Sequence, residues 1–588
     1  MSMEQGLRSI LVADCGTVVT KAVLLDRVEG SYRFVARGEA VTTAETPWHD
    51  LVAGVRHAIV QVEEVTGKTF LDESGSLVVP EESGVGVDAF LALVSAAQPL
   101  EVVLAGLVGG LSLAAAERAV MGTYSIVTGT LGQDPAVGWL TEEEQVRMIV
   151  SRQPEVICVA GGTDGGATTP VLELVEAAAL GCSMLEKEER PRILFAGNKL
   201  LRERVVKLVG GRADVRPTRN VQPTLALGAE DLEGVRSELE ELYRQRKLQQ
   251  LPGINVIKRW SALPVVPAAK AFSRLVQYLW YLEKAPGRGT LGVDVGAAHT
   301  TVAAVFGGRL YLTVQTGLGA AFAGERLLRE RDPRFLIRWV PSSMGVDRAR
   351  GMLINREARP WTVSREPEEL WLDQAVVREA IRETLRTACP GWQQDGAQLY
   401  PHLTPSLSPI LLSGGILAGA PRPAQAALIA LDAIEPIGIS TLLLDVHRLA
   451  PALGGVARLK PLAAVETLDN GGIVNLATVV APVGTARKGD VILHVRIQYK
   501  GGGAFEIEVP YGSLERLPLQ PGQEAILELR PRQGFDVGMG GPGKGGRRRV
   551  RGGLVGLIID ARGRPLQLPR DPKKRRVQLK RWLRDVGG

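Results

Sequence analysis

Asp14-Cys15-Gly16-Thr17-Val18-Val19-Thr20-Lys21 brings a carboxylate, two hydroxyls and an ammonium together around one glycine. Gly16 has no Cβ, so the backbone there can approach a ligand closely. Thr17 and Thr20 supply hydroxyl donors, Lys21 a compact cation, and Asp14 an oxygen suited to a hydrated metal ion. This is the chemistry of a phosphate cradle. A strand-ending turn without any ligand produces the same letters, so one copy decides little.

A second copy changes the weighing. Asp14, Gly16 and Thr20 recur as Asp294, Gly296 and Thr300 at a fixed offset of 280 residues, with Thr301 beside Thr300. Two such cradles predict two similar lobes facing each other across a nucleotide. In phosphoryl chemistry a protein mostly positions groups and neutralises developing charge. On that basis Asp14 and Asp294 are the candidate catalytic carboxylates, holding the hydrated Mg²⁺ or orienting an attacking water. Gly16, Thr17, Thr20, Lys21, Gly296, Thr300 and Thr301 are the candidate phosphate ligands. Ser413-Gly414-Gly415 is the candidate turn for the base, its glycines letting backbone lie against a purine face; a tight strand-to-helix connection is the competing explanation. His299, inside the second cradle, reads as a filler side chain rather than a ligand.

These residues need particular elements to hold them. Ile10–Ala13 and Ala22–Leu25 are apolar runs on either side of the first cradle, and Leu291–Val293 and Val302–Val305 flank the second, so each cradle is the bend of a β-hairpin. Gly-turn-and-strand continuations follow at 30–35 and 307–314. Apolar positions Leu51, Val55, Ile59 and Val62 predict a packing helix within 48–65. Thr141 with Glu144 three residues on predicts a capped helix over 141–151. Val156–Ala160 followed by Gly161-Gly162-Thr163-Asp164-Gly165-Gly166, and Ile193–Phe195 followed by Ala196-Gly197-Asn198, are strand, small-residue turn and helix repeated, the mark of α/β architecture. The Gly161–Gly166 cluster reads equally as a cleft or partner contact and as a packing turn. The expected domains are a first lobe with an inserted α/β segment (1–285), a second lobe (286–460) and a β-rich domain with a basic tail (461–588).

The 588 residues exceed one core, and 45% hydrophobic with 23% charged residues is an ordinary globular composition. The four cysteines lie far apart without a C-x-x-C pair, which argues against disulfides or zinc and fits a reducing cytoplasm. Glu4 and Arg8 precede the first strand, so a signal peptide is not expected. Val102–Ala116, the most apolar stretch, is too short for a bilayer span and is expected as a buried helix. Charge is uneven: 544–584 carries net +13, which against a total of +6 leaves −7 for the rest. With Trp582 as its only aromatic, this basic segment is a poor base-stacking platform, which weighs against nucleic acid and leaves a solvated tail or a contact with an acidic protein.

The hairpin pair and the Ser413-Gly414-Gly415 turn, in this order, resemble the actin, Hsp70 and sugar-kinase ATPase superfamily. More narrowly the chain resembles the MutL-type proteins associated with glutamate mutase, which are unrelated to the mismatch-repair protein of that name. The matching stretches are Asp14–Lys21, Gly161–Gly166, Phe195–Asn198, Asp294–Thr301 and Gly553–Pro565. The resemblance implies an α/β fold of duplicated ribonuclease-H-like lobes. It also implies an ATP-dependent, chaperone-like reactivating factor for an adenosylcobalamin-dependent mutase, with ATPase activity and the mutase as protein partner. A small-molecule kinase of the same fold, or a scaffold using nucleotide only as a structural ligand, are the alternatives. A kinase needs a further carboxylate base, for which only Asp164 offers itself.

Overall fold

Ser9–Cys15 (β1) reads as an unbroken apolar run because it is buried along its whole length, as a central strand must be. It pairs antiparallel with Val19–Val28 (β2), which pairs antiparallel with Ser31–Val41 (β3). On its other side β1 pairs in parallel with Ala89–Val94 (β4). The computed structural model that shows this describes residues 6–132, 140–226, 229–283, 287–330, 332–392 and 400–588. They divide into two compact units, Met1–Ala96 with Pro252–Leu312 and Gly317–Gly588, and Ala97–Leu251 with Thr313–Thr316.

The first unit contains the motif twice. Its first sheet has the order β10-β4-β1-β2-β3, where β10 is Val266–Pro267. Its second begins β13-β12-β11-β14, from Gly289–Val295 (β11), His299–Phe306 (β12), Arg309–Thr316 (β13) and Leu407–Gly414 (β14). β11 is antiparallel to β12 and parallel to β14, repeating the relation of β1 to β2 and β4. The sequence duplication is therefore a structural one, and each lobe has a ribonuclease-H-like strand order.

Helix Ala268–Glu283 joins the lobes by packing. Phe272, Leu275, Val276 and Leu279 share one core with Ile10, Val12, Leu91 and Leu93 of the first sheet and with Leu453 and Val456 of helix Ala450–Val456. The two helices approach so closely at Gly454 that a Cβ there would stand 1.8 Å from the Ala271 carbonyl oxygen. In the first lobe, Leu51–Thr66 is a helix capped by Asp50, whose carboxylate accepts from Val52 N at 2.9 Å.

The second sheet runs on through Gly438–Leu444 (β15), Val474–Ala481 (β16), Gly556–Asp560 (β22) and Leu514–Leu517 (β19). Three of its eight strands thus come from beyond residue 461. An antiparallel sheet of order β18-β17-β20-β21 is built from Val491–Tyr499 (β17), Ala504–Pro510 (β18), Glu524–Pro531 (β20) and Gly546–Arg551 (β21). Its inner residues Val495, Ile497, Leu527 and Leu529 pack on Val480, Leu557 and Ile559.

The basic C-terminal segment is not a tail. It contains β21, the interior strand β22 and the helix Pro572–Asp585, which buries Leu579 and Trp582 in the second-lobe core. Five charged residues beside them are buried. Asp560 accepts from Arg562 Nε at 2.8 Å and from Arg564 Nη2 at 2.7 Å, while Arg562 Nη1 reaches Asp432 at 2.7 Å and Arg378 Nε holds the other Asp432 oxygen at 2.9 Å.

The second unit is a five-stranded, all-parallel sheet of order β6-β5-β7-β8-β9, from Leu100–Gly106 (β5), Ser125–Gly132 (β6), Val156–Ala160 (β7), Arg192–Phe195 (β8) and Val215–Pro217 (β9). This is a doubly wound order. The capped helix is present as Glu142–Arg152 with both capping-box hydrogen bonds. The apolar stretch expected as one buried helix is instead strand β5, a turn at Gly109–Leu113 and a short helix Ala114–Val120. A strand buried on both faces has no alternation to distinguish it from a buried helix. Among the described residues no helix is long and apolar enough to cross a membrane.

Candidate functional site

Strand pairing brings the predicted residues together within each lobe of the first unit. Asp14 lies opposite Lys21 across β1 and β2, and Lys21 Nζ donates to Asp14 Oδ2 at 2.9 Å. Asp294 lies opposite Thr301 on one side and opposite Ser413 of the parallel strand on the other. The second cradle therefore has a hydroxyl where the first has a cation. Ser413 has an apolar counterpart in the first lobe, Leu93, which lies opposite Asp14.

Each hairpin bend is tied from behind. Gly16 N donates to Val19 O at 3.1 Å, and Gly296 N to His299 O at 2.9 Å, closing equivalent turns. Thr42 Oγ1 donates to Gly16 O at 2.7 Å and sits 2.9 Å from Thr20 Oγ1. Thr17 Oγ1 donates to Ser95 O at 3.0 Å. In the second lobe Ala320 N and Ala321 N donate to the carbonyls of Gly296 and Ala297, both at 2.9 Å, and Thr300 Oγ1 donates to Leu318 O. Thr20 and Thr300 are fully buried and Thr301 nearly so. Thr17, Thr20 and Thr300 hydroxyls are thus engaged with the chain, shaping the bends. His299 is half-buried, and the atoms packed around it push its ring down to about 4, so it is neutral near pH 7.

The charges interlock. Burial opposes the Lys21 ammonium, but the charge and hydrogen bond of Asp14, helped by Asp294, raise it above the ordinary lysine value. Asp294 keeps some exposed surface, yet the atoms packed around it strip away water and lift its carboxyl to about 6. Lys21 opposes that lift, while Asp14 and Asp445 add to it.

Asp445 was not foreseen. It follows Leu442-Leu443-Leu444, an apolar run ending in aspartate just as the runs before Asp14 and Asp294 do. That shared pattern was the available signal; no Gly and Thr spacing follows it, so it carried no phosphate motif. Its carboxylate accepts from Ser413 Oγ at 2.9 Å and from the backbone N–H of Leu449 and Ala450 at 2.7 and 2.8 Å. Gly414, next to Ser413, has φ +112°, and a Cβ there would lie 2.2 Å from the Val295 carbonyl oxygen. Only glycine makes the turn against the end of β11.

Three aspartates and one lysine leave this desolvated site with excess negative charge, which a divalent cation would relieve. No three Asp, Glu, His or Cys side chains among the described residues stand close enough to hold an ion directly.

The Gly161–Gly166 cluster lies in the second unit, at the carboxyl end of β7. Asn198 Oδ1 accepts from Gly165 N at 3.1 Å, Asn220 Nδ2 donates to Asp164 Oδ1 at 3.0 Å, and Asp164 N donates to Pro223 O at 2.9 Å. These bonds knit the ends of β7, β8 and β9 into one polar layer.

A family model described as MutL protein matches residues 10–471. Protein MutL of Clostridium tetanomorphum is 28% identical over 298 residues, which is 50% of this chain and 56% of that protein, so the match spans little more than half of its length. Among solved structures, nucleotide-free acetone carboxylase is similar at 11% identity, over 86% of this chain and 82% of that chain, with a TM-score of 0.33. A nucleotide-free diol dehydratase-reactivating factor is similar at 12% identity, over 77% of this chain and 100% of that chain, with a TM-score of 0.30.

Proposed function

The chain belongs to the MutL protein family, and from that premise we propose that it is an ATP-binding, ATP-hydrolysing accessory factor that reactivates an adenosylcobalamin-dependent mutase. The observation that carries the nucleotide half of this reading is the convergence of two duplicated cradles. Asp14, Lys21 and Asp294 act on one another's charge, beside the Ser413-Gly414-Gly415 turn.

In this reading the triphosphate lies between the bends at Gly16 and Gly296, met by backbone N–H groups and by Lys21. The threonine hydroxyls at 17, 20 and 300 act through the bends they hold, and Thr301 lines the site opposite Asp294. Mg²⁺, when bound with the nucleotide, neutralises phosphate charge, and Asp14 and Asp294 are the residues that would hold its water shell. Asp294, with a carboxyl lifted towards neutrality, is suited to accept a proton from an attacking water. The adenine lies against the glycines at 414 and 415.

The mutase partner comes from the resemblance to the glutamate mutase-associated proteins. The test incubates the protein with ATP, Mg²⁺ and an inactivated adenosylcobalamin mutase and assays recovered turnover. ATP-dependent recovery supports the reading. Robust phosphate transfer to sugars or short-chain acids, with no recovery, replaces it with a kinase.

A further inference from the structure

We infer that Asp445 is a positioning residue for the adenosine half of the nucleotide site, locking the Ser413–Gly415 turn to a strut that is anchored on the first lobe. The inference rests on the ATP site proposed above and names a residue that neither cradle motif contains.

Asp445 is fully buried, and both of its oxygens are committed. Oδ2 takes the Ser413 hydroxyl and Ala450 N; Oδ1 takes Leu449 N. Ser413 Oγ has one proton to give and hydrogen-bonds both Asp445 and Asp294, so it ties the turn to two carboxylates. Its hydroxyl is therefore spent on holding the turn, and the neighbouring Gly414 and Gly415 are left to meet the ligand. A buried carboxylate tolerates this position because three donors replace its lost water.

The other end of the connection is equally built. Leu449 and Ala450 open the helix Ala450–Val456, which is pressed against Ala271 at Gly454 and against Leu93 of β4 at Gly455. Between Asp445 and that helix, the chain is fastened to β3 at two points. Arg448 Nη2 forms an ion pair with Glu39 Oε1 at 2.6 Å, and the same oxygen lies 3.2 Å from Arg37 Nε. The His447 carbonyl accepts from Arg37, and the His447 ring lies 4.8 Å from that of Phe34. Arg448 is held at φ +56°, an uncommon conformation for a side-chain-bearing residue, which its fixed partners maintain. The base-binding turn of the second lobe is thereby indexed to the sheet that carries the first cradle.

The test separates the two halves of the ligand. Wild type, Asp445→Asn, Ser413→Ala and the double variant are titrated with MgATP and with magnesium tripolyphosphate, which lacks the adenosine. Asp445→Asn leaves one acceptor oxygen for three donors, and an amide nitrogen in place of Oδ2 meets both the Ser413 hydroxyl and Ala450 N. It is expected to weaken ATP binding about tenfold, the scale of one charge-assisted hydrogen bond. Tripolyphosphate binding is expected to be retained or improved, since a negative charge has gone. Ser413→Ala, which removes only the hydroxyl, gives the same split even should Asp445→Asn not fold. The double variant binds ATP as Ser413→Ala does, because the two residues act as one unit. Equal loss of both ligands, additive losses, or variants that bind ATP like wild type overturn the inference. Wild type binding neither ligand removes the ATP site itself, and the inference with it.

Discussion

At the scale of single residues, the account turns on which side chains meet the ligand and which hold the bends. Asp294 is partly exposed and faces Lys21, whereas Thr20 and Thr300 are buried behind their loops. Asp294→Ala is therefore expected to abolish phosphate release from ATP while leaving the melting temperature within a few degrees of wild type. Unchanged phosphate release in that variant would remove Asp294 from catalysis. Gly414→Ala is expected to cost both stability and ATP affinity, because its φ of +112° and the nearby Val295 carbonyl leave no room for a methyl group. The strain alone is about 1–3 kcal/mol, readable as a lowered denaturation midpoint. Asp14, Gly16, Asp294 and Gly296 were legible because two copies at one offset are improbable as accidental turns. The part played by Thr20 and Thr300 was not legible, because a hydroxyl's type does not say whether it faces a ligand or the loop behind it. Asp445 was hidden for a related reason: a lone aspartate after an apolar run looks like any strand end.

At the scale of elements, the C-terminal segment departs most from its sequence. Fifteen basic residues among 544–584 read as a solvated or partner-binding tail. Yet Arg562 and Arg564 are buried against Asp560, β22 lies between β16 and β19, and the last helix inserts Leu579 and Trp582 into the core. Counting charge along a chain cannot tell an arginine on a helix face from one paired inside. Deleting 544–588 is expected to abolish soluble, folded protein rather than only a partner contact; a truncated chain that melts cooperatively near the full-length temperature would contradict this. Asp560→Ala leaves buried Arg564 without its carboxylate partner and Arg562 with Asp432 alone, and is expected to cost about 3–5 kcal/mol in chemical denaturation. Burial opposes the Asp560 carboxylate, but Arg562 and Arg564 outweigh burial and hold it well below the usual carboxylate range. Its contribution is thus complete above that range and is lost as pH falls through and below it. Wild type should lose more stability than an Asp560→Asn variant between pH 5 and pH 3, an interval set by the ordinary carboxylate value. Parallel acid titrations of the two proteins would exclude this.

At the scale of the whole molecule, the duplication seen as an offset of 280 residues became two sheets with the same strand order, β4-β1-β2-β3 and β14-β11-β12-β13. That much of the fold follows from alternating apolar runs and the bends between them. The topology of 97–251 was only half legible: the strand-turn-helix repeats at 156–209 were visible, while strand β5 was masked by its own continuous apolarity. That the second sheet would take three strands from beyond residue 461 was not legible, since short β-runs carry no mark of the sheet they will join. The central claim is that the paired cradles hold one ATP. Its most direct measurement is calorimetric titration of the purified full chain with ATP in the presence of Mg²⁺, repeated with Asp14→Asn and Lys21→Ala. The account predicts saturable uptake of one ATP per chain that both variants weaken at least tenfold, the scale of losing one charged phosphate contact. No uptake by the wild-type protein, or uptake that neither variant alters, would contradict it.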